Sequence, residues 1–331
     1  MPNSVYFFSL IIGGLVLIGL GANLLVASTE NISKKYNISG FVSSFIFIGL
    51  ATSSPEILIS ILSSLEGKGN IAIGNALGSN IANMAFVFAL TILLFNSINS
   101  EKNKILSKEV VGFSFRKPSL YLILVILSIA IYPVLYNGIV EFYEGIFLLS
   151  FFIILFYLYK KYCYSNGDVI ENSKYISGLR IFSILIAGLA FLLIGTKIFL
   201  TGSTGVAKSF GISDYVIGLS IAAIGTSLPE LASSIESARK KSFDFIIGNI
   251  LGSNIFNIAI VVGIVGILDN NLPGKSLSIT HINRDMVMMF ITMIGFYYII
   301  KNYNQYITKI LCLALLISFT LYQFNLYGIS I

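Results

Sequence analysis

The sequence predicts an all-α polytopic membrane protein, with ten transmembrane helices arranged as two inverted five-helix repeats whose helices are broken at the midplane. Three observations support this fold class. Hydrophobic residues make up 56% of the 331 residues and charged residues only 11%, whereas a soluble domain carries about 25% charged residues. The apolar residues form runs of the length that crosses a bilayer, about 20 residues each. Two segments also repeat nearly the same pattern 174 residues apart.

The apolar runs predict ten spans in chain order. No basic residue precedes the first run, so we interpret it as a transmembrane helix and not as a cleaved signal. Pro55 is predicted to break the second span and Pro229 the seventh, and glycine clusters are predicted to break the third and the eighth. The spans cover residues 4–28, 38–65, 70–98, 118–138, 142–161, 178–203, 213–239, 243–269, 284–301 and 306–328.

The basic residues between the spans predict the orientation. Sixteen lysines and arginines fall in odd-numbered loops, and four fall in even-numbered loops. Because cytoplasmic loops carry an excess of basic residues, the odd-numbered loops are predicted to be cytoplasmic and both termini to lie outside the cell. The net charge of +6 is then a topology signal and predicts no nucleic-acid partner.

The number of spans predicts how the two halves are related. With five spans in each half, the second half enters the membrane from the opposite side, which makes the repeats inverted. We predict a first repeat at residues 1–160, a short cytoplasmic linker at 161–177 and a second, inverted repeat at 178–331. Duplicated halves with interrupted helices in matching places are typical of secondary transporters, whose ion site lies at the repeat interface.

Two motifs occur once in each half. TSxPE occupies residues 52–56 and 226–230, and GNxLGSNIxN occupies residues 74–83 and 248–257. The motifs place Glu56 and Glu230 in mid-span, where an ionisable residue indicates function by default. Alternatively, each glutamate is protonated and bonded to a carbonyl that its proline frees. Two carboxylates held close together cannot both ionise without a cation between them.

The side chains near the two glutamates offer oxygen atoms. Zinc, copper and nickel are disfavoured because no cysteine or histidine lies nearby. Oxygen-only coordination fits Ca²⁺, which takes 6 to 8 oxygens, and Na⁺ shares this preference. Helix breaks at the prolines also free carbonyl groups around Gly49, Thr52, Ala223 and Thr226. The candidate side-chain ligands beside the glutamates are Thr52, Ser53, Thr226, Ser227, Ser79, Ser253, Asn83 and Asn257.

The remaining motif residues are glycines and asparagines, which have different interpretations. The glycines of GNxLGSNIxN allow close helix packing in a membrane, which is the role we predict for Gly74, Gly78, Gly248 and Gly252. For the other asparagines of the motif, capping of a broken helix and ligand binding both stay open. These residues are Asn75, Asn80, Asn249 and Asn254.

At these motifs the chain resembles the cation/calcium exchanger superfamily, in particular the prokaryotic sodium/calcium exchangers, over essentially its whole length. The resemblance implies a secondary active antiporter, not an enzyme, that exchanges Na⁺ for Ca²⁺ across the cell membrane by alternating access. It implies no cofactor other than the transported ions. The expected partners are Ca²⁺, Na⁺ and the lipid bilayer, without an obligatory protein partner.

The resemblance also implies four cation sites at the midplane. Glu56 and Glu230 would bind Ca²⁺ with the backbone carbonyls of Thr52 and Thr226. The flanking Na⁺ sites would use Ser53 and Ser79 with the Gly49 carbonyl, and Ser227 and Ser253 with the Ala223 carbonyl. Asn83 and Asn257 would complete the centre.

Departures between branches of the superfamily refine the expected transport. Asn257 stands where the potassium-dependent branch and some archaeal exchangers carry aspartate, which favours exchange that is independent of K⁺. With only Glu56 and Glu230 charged, exchange of one Ca²⁺ for three Na⁺, as the resemblance implies, would be electrogenic. Gly78 and Gly252 stand where the proton/calcium branch carries an acid, which disfavours the alternative of a Ca²⁺/H⁺ antiporter. A cation channel is the alternative of another class. It is disfavoured because two halves with one glutamate each form no symmetric pore ring.

Overall fold

The described residues form a bundle of α-helices. The computed structural model describes residues 2–95, 119–163, 177–210, 223–268, 278–301 and 304–326. The helices are α1 (Pro2–Tyr36), α2 (Gly40–Thr52), α3 (Ser54–Leu65), α4 (Gly69–Phe95), α5 (Leu120–Leu135), α6 (Phe142–Cys163), α7 (Gly178–Ser209), α8 (Ala223–Thr226), α9 (Leu228–Arg239), α10 (Phe243–Leu268), α11 (Ile279–Lys301) and α12 (Gln305–Leu326).

Helices α1 and α7 pack against each other through glycines. A Cβ atom added at Gly21 would lie 2.8 Å from the Gly188 carbonyl oxygen, and one at Gly195 would lie 2.8 Å from the Ile18 nitrogen. Small residues permit this approach of two backbones in a membrane. Helix α1 continues to Tyr36, beyond the predicted end at residue 28. Its last turns are polar, and they carry an i,i+4 ion pair between Lys34 and Glu30 at 2.7 Å, which supports a helix outside an apolar span.

The helices are interrupted beside both prolines of the repeated motif. Helices α2 and α3 meet at Ser53 with a bend of 43°. Pro55 lies in the first turn of α3 and Pro229 in the first turn of α9. Proline is tolerated there because the first N–H groups of a helix have no intrahelical partner. Each break therefore places the glutamate that follows the proline at the start of a new helix.

The glycine clusters do not break the third and eighth predicted spans, so this part of the prediction is wrong. Helices α4 and α10 each run without interruption. Glycine has no side chain but keeps its backbone N–H, so the ladder of backbone hydrogen bonds can continue through it. Both helices instead contain a π-helical segment, at Asn83–Phe88 and Asn257–Val261. Segments of this kind occur frequently at functional sites.

Helix α10 lies at the centre of the bundle. Every residue from Phe243 to Phe256 except Asp244 is buried, and α10 packs against α2, α5 and α6. Gly248 and Gly252 permit the contact with α2, since a Cβ atom added at either would lie 2.6 Å from a backbone oxygen of that helix. The matching glycines of α4, Gly74 and Gly78, have no described atom within 4 Å of such a Cβ.

Several described helices are long and apolar enough to cross a membrane. By length and composition there are six in the described part of the chain, or seven if α2 and α3 count as one bent span. The six are α1, α4, α6, α7, α10 and α12. Helix α5 is apolar but shorter, at 16 residues. The number of ten spans and the inverted arrangement therefore stay predictions.

Candidate cation-binding site

Glu56 and Glu230 occupy matching places in two helices. Each lies in the first turn of its helix, α3 or α9, directly after the proline. Both side chains are fully buried. The N-terminal end of a helix favours negative charge because its backbone N–H groups point toward that end. The breaks thus bring two carboxyl groups into the interior at helix ends that can stabilise them.

A serine of the second motif contacts each glutamate. Ser79 Oγ donates to Glu56 Oε1 at 3.3 Å, and Ser253 Oγ donates to Glu230 Oε1 at 3.2 Å. In both halves the serine follows the glutamate by 23 residues. The two motifs of each half therefore form one unit, in which a carboxylate on one helix is bonded to a hydroxyl on the next.

The threonines join the two units. Thr52 Oγ1 lies 3.0 Å from Ser253 Oγ and 3.1 Å from Asn249 Oδ1 of the other half. Thr226 Oγ1 donates to Asn75 Oδ1 at 3.3 Å, again across the halves. The carboxyl groups take part as well, because Glu56 interacts with Thr226 and Glu230 interacts with Thr52. The motif residues of both halves thus surround one common region.

Several oxygen atoms in this region have no hydrogen-bond partner among the described residues. They belong to fully buried or nearly fully buried side chains. A buried polar atom without a partner costs free energy, about 1 to 3 kcal/mol each, and an oxygen-preferring cation would satisfy such atoms. These oxygens are Glu56 Oε2, Glu230 Oε2, Ser53 Oγ, Ser227 Oγ, Asn83 Oδ1 and Asn257 Oδ1.

The structure describes the surroundings of one of the two backbone ligands predicted for the Na⁺ sites, Gly49, more fully than those of the other, Ala223. The carbonyl oxygen of Gly49 accepts from Ser53 N at 3.1 Å and lies 3.3 Å from Ser253 Oγ, so it is beside the serines of the site. Ala223 begins helix α8, and the residues directly before it lie outside the described part. Ser54, the polar residue that replaces a leucine of the other copy, donates to the Ala51 carbonyl at 2.5 Å.

The four asparagines that the sequence left open cap none of the helices that the structure describes. All lie inside α4 or α10, several residues from the N-terminal ends of these helices. Asn249 Nδ2 lies 3.2 Å from the Glu230 carbonyl oxygen and 3.1 Å from Ser234 Oγ. Asn80 and Asn254 bond to each other's backbone across the two halves. Sequence reasoning missed these contacts, and the only signal was the recurrence of the same asparagines in both motifs.

The donor set of the site consists of hard oxygen atoms. Among the residues that the structure describes, no group of three or more histidine, cysteine, aspartate or glutamate side chains comes together. The two carboxylates, the hydroxyls and the amide oxygens form a set of the kind that Ca²⁺ and Na⁺ use in proteins. A site for zinc or copper would need imidazole or thiolate groups.

Comparison with known proteins agrees with this chemistry. The model of the family described as "Sodium/calcium exchanger protein" matches residues 6–160 and 180–328. An uncharacterized membrane protein of Methanocaldococcus jannaschii is 35% identical over 269 residues, which cover 80% of this chain and 82% of that protein. The sodium/calcium exchanger MaX1 of Methanosarcina acetivorans is 30% identical over 290 residues, covering 78% of this chain and 82% of that exchanger.

The fold is similar to that of a solved exchanger. The sodium-calcium exchanger NCX_Mj soaked with 10 mM Na⁺ and zero Ca²⁺ superposes with a TM-score of 0.75 and 26% identity, covering 96% of this chain and 98% of that chain. The same exchanger soaked with 2.5 mM Na⁺ and 10 mM Sr²⁺ also gives a TM-score of 0.75, at 28% identity. With the family model matching both halves, the chain belongs to the sodium/calcium exchanger family of membrane transporters, among its prokaryotic members.

Proposed function

We propose that this protein exchanges Na⁺ for Ca²⁺ across the cell membrane as a secondary active antiporter that works by alternating access. The observation that carries the proposal is the set of buried, unpartnered oxygens around Glu56 and Glu230. It is supported by membership of the exchanger family and by the likeness to a solved sodium-calcium exchanger. The substrates are Ca²⁺ and Na⁺, and the transport needs no other cofactor and no obligatory protein partner.

The site residues divide between the two ions in our proposal. Ca²⁺ binds between the carboxylates of Glu56 and Glu230, because its double charge matches two buried negative charges. The Thr52 and Thr226 carbonyls complete this central site with the Asn83 and Asn257 amide oxygens. The Na⁺ ions bind on either side of it. Their ligands are Ser53, Ser79 and the Gly49 carbonyl on one side, and Ser227, Ser253 and the Ala223 carbonyl on the other.

The proposed topology has ten spans in two inverted halves, residues 1–160 and 178–331, with a cytoplasmic linker at 161–177. The two blocks that match the family model, residues 6–160 and 180–328, support this division. The excess of basic residues in the odd-numbered loops supports an orientation with both termini outside the cell. The exchanging ions would then reach the buried site from either side in turn, as in other transporters with inverted repeats.

Thiol labelling tests this orientation. Tyr136 lies between α5 and α6 and is 63% exposed. In a background that lacks Cys163 and Cys312, the variant Tyr136→Cys should react with a membrane-impermeant thiol reagent added to intact cells. Because Cys312 is buried, its removal needs a small apolar replacement such as alanine. Labelling that occurs only after the cells are permeabilised would contradict the proposed orientation.

The charge of the site predicts electrogenic exchange without K⁺. Among the proposed ligands only Glu56 and Glu230 are acids, since Asn83 and Asn257 are neutral. Two negative charges balance one Ca²⁺. If three Na⁺ replace one Ca²⁺, as the resemblance to the superfamily implies, one net positive charge would be left to move. A charge that moves through 100 mV gains or loses about 2.3 kcal/mol, so the membrane potential should alter the exchange.

Flux measurements in proteoliposomes test the proposal directly. Purified protein in Na⁺-loaded vesicles should take up radiolabelled Ca²⁺ when the outside lacks Na⁺, and a clamped inside-positive potential should change the uptake. Uptake should not depend on K⁺. Uptake that follows a pH gradient in the absence of Na⁺ would identify a Ca²⁺/H⁺ antiporter. Downhill Ca²⁺ flux without any counter-ion would identify a channel.

A further inference from the structure

The amide groups of four asparagines form a reciprocal network between α4 and α10. Asn80 Nδ2 donates to the Asn254 carbonyl at 3.1 Å, and Asn254 Nδ2 donates to the Asn80 carbonyl at 3.2 Å. Asn257 Nδ2 donates to Asn80 Oδ1 at 3.2 Å, and Asn83 Nδ2 donates to Asn254 Oδ1 at 3.0 Å. All four side chains are buried. Each half therefore contributes one asparagine that bonds to backbone and one that does not.

The backbone carbonyls fix which way Asn80 and Asn254 point. A carbonyl oxygen can only accept a hydrogen bond, so the side-chain atom that faces it must be the amide nitrogen. Asn80 Nδ2 thus has to face the Asn254 carbonyl, and it also faces the Met289 sulfur, a weak acceptor, at 4.0 Å. A flipped Asn80 would place oxygen against oxygen. The same argument orients Asn254 against the Asn80 carbonyl.

This orientation passes to the asparagines of the cation site. With Asn80 Nδ2 held by the carbonyl, Asn80 Oδ1 is the atom that faces Asn257. Because Asn80 Oδ1 can only accept, Asn257 must present its Nδ2 to it. Asn257 Oδ1 is then left on the other side of the amide, buried and without a partner in the described part of the chain. Asn254 acts on Asn83 in the same way.

We infer that Asn80 and Asn254 are positioning residues, each of which turns the amide oxygen of an asparagine in the opposite half toward the cations. The inference rests on the proposed function, because it takes Asn83 and Asn257 as cation ligands. Without these hydrogen bonds either amide could rotate and aim its N–H group, which carries partial positive charge, at the ion. The pairing crosses the halves: Asn80 of the first half orients the amide of Asn257, and Asn254 of the second half orients the amide of Asn83.

A purely structural role for Asn80 makes a different prediction. If Asn80 only joined α4 to α10, its removal would lower the Ca²⁺ affinity by the same factor whatever residue stands at position 257. If it acts through Asn257, its removal should matter for Ca²⁺ binding only while Asn257 is present. Mutations of residues in direct contact show such non-additive effects, and independent ones add. A double-mutant cycle therefore separates the two roles.

The experiment measures Ca²⁺ binding to the purified full-length protein by equilibrium dialysis with radiolabelled Ca²⁺. Asn80→Ala should weaken binding about five- to tenfold in the parent protein, as expected for loss of an orienting hydrogen bond. In an Asn257→Ala background the same change should weaken it less than about twofold. In an Asn83→Ala background, which alters the neighbour on the same helix, the full five- to tenfold loss should return, by the same additivity argument.

The equivalent variant in the second half supplies the second test. Asn254→Ala should be coupled to Asn83→Ala and additive with Asn257→Ala, and it decides the question if Asn80→Ala does not yield monodisperse protein. Equal losses in every background would overturn the inference, as would coupling of Asn80 with Asn83. A parent protein that binds no Ca²⁺ would refute the proposed function itself. Ca²⁺ binding with additive effects would refute only the positioning role.

Discussion

The two halves of the chain hold their glutamates alike and anchor the far ends of the same helices differently. In both halves a serine bonds to the glutamate, at 3.3 Å in the first and 3.2 Å in the second. At the far end of α9, however, Glu236 is nearly buried, while its counterpart in α3, Leu62, is 53% exposed. Asn23 of α1 donates to Glu236 at 3.2 Å. The repeat is therefore close to symmetric where the ions are proposed to bind and diverges at the far end of α9, which packs on α1.

The strongest test of the symmetric part is to neutralise one glutamate at a time. Glu56→Gln and Glu230→Gln should each abolish Na⁺-driven Ca²⁺ uptake, because each removes one of the two charges that balance Ca²⁺. Loss of one partner of a buried charge pair costs about 3 to 5 kcal/mol, which corresponds to a Ca²⁺ affinity at least about 100-fold weaker. Radiolabelled uptake and equilibrium binding measure the two effects.

Glu236→Gln is the matched control for both variants. It neutralises a nearly buried glutamate on the same helix as Glu230, but outside the oxygen set of the site. It should leave the Ca²⁺ affinity within about twofold of the parent value, since distant sites act independently. Near-normal uptake by Glu56→Gln or Glu230→Gln would contradict the proposed site. Loss of Ca²⁺ binding in Glu236→Gln would mean that the site includes Glu236.

A second test concerns the contact between the first helices of the two halves. Gly195→Leu should destabilise the protein by about 1 to 3 kcal/mol through overpacking, since its Cβ atom would already lie 2.8 Å from Ile18 N of α1. Gly19→Leu is the control, because a Cβ atom there has nothing within 4 Å. Thermal unfolding in detergent measures both. Equal stability of the two variants would show that the glycine contact contributes little.

The smallest expected effect concerns the part in which the halves differ. Asn23→Ala removes the hydrogen bond from α1 to Glu236 and should lower the free energy of unfolding by about 0.5 to 1.5 kcal/mol. The Arg239 ion pair with Glu236, at 3.2 Å, stays in place. Ca²⁺ affinity should not change. The same denaturation experiment gives the stability, and a loss above about 3 kcal/mol would mean that this contact holds more of the bundle together than one hydrogen bond can.

The sequence predicted the carboxylates and hydroxyls that come together in the candidate site, but not the amide network. Pro55 and Pro229 mark the helix breaks locally, because proline lacks a backbone N–H. The constant spacing of 23 residues between glutamate and serine pointed to a paired arrangement. The partners of Asn80 and Asn254 lie across the halves. A contact between residues 174 positions apart depends on how whole helices pack, and no local pattern encodes it.

The glycine-rich segments also show that a local sequence pattern does not determine how helices pack. Glycine weakens a helix in isolation, and so the sequence predicted breaks in the third and eighth spans. In α10 the glycines instead allow the α2 backbone to approach, and tertiary packing outweighs the local preference. The π-helical segments were not predicted, since no residue type marks the place where a helix accommodates them.

The π-helical segments also decide how the loss of one residue changes the direction in which the later side chains of a helix point. A π turn closes from residue i to i+5 instead of i+4, so it takes up one residue more than the surrounding α-helix. Deleting a single residue between Asn83 and Phe88 would remove that extra residue, so a regular α-helix would form and the rest of α4 would keep its orientation relative to Ser79. A deletion in a regular α-helical turn would instead rotate everything after it by about 100°. In α4 and α10, the effect of losing one residue therefore depends on whether the loss falls in the π-helical segment.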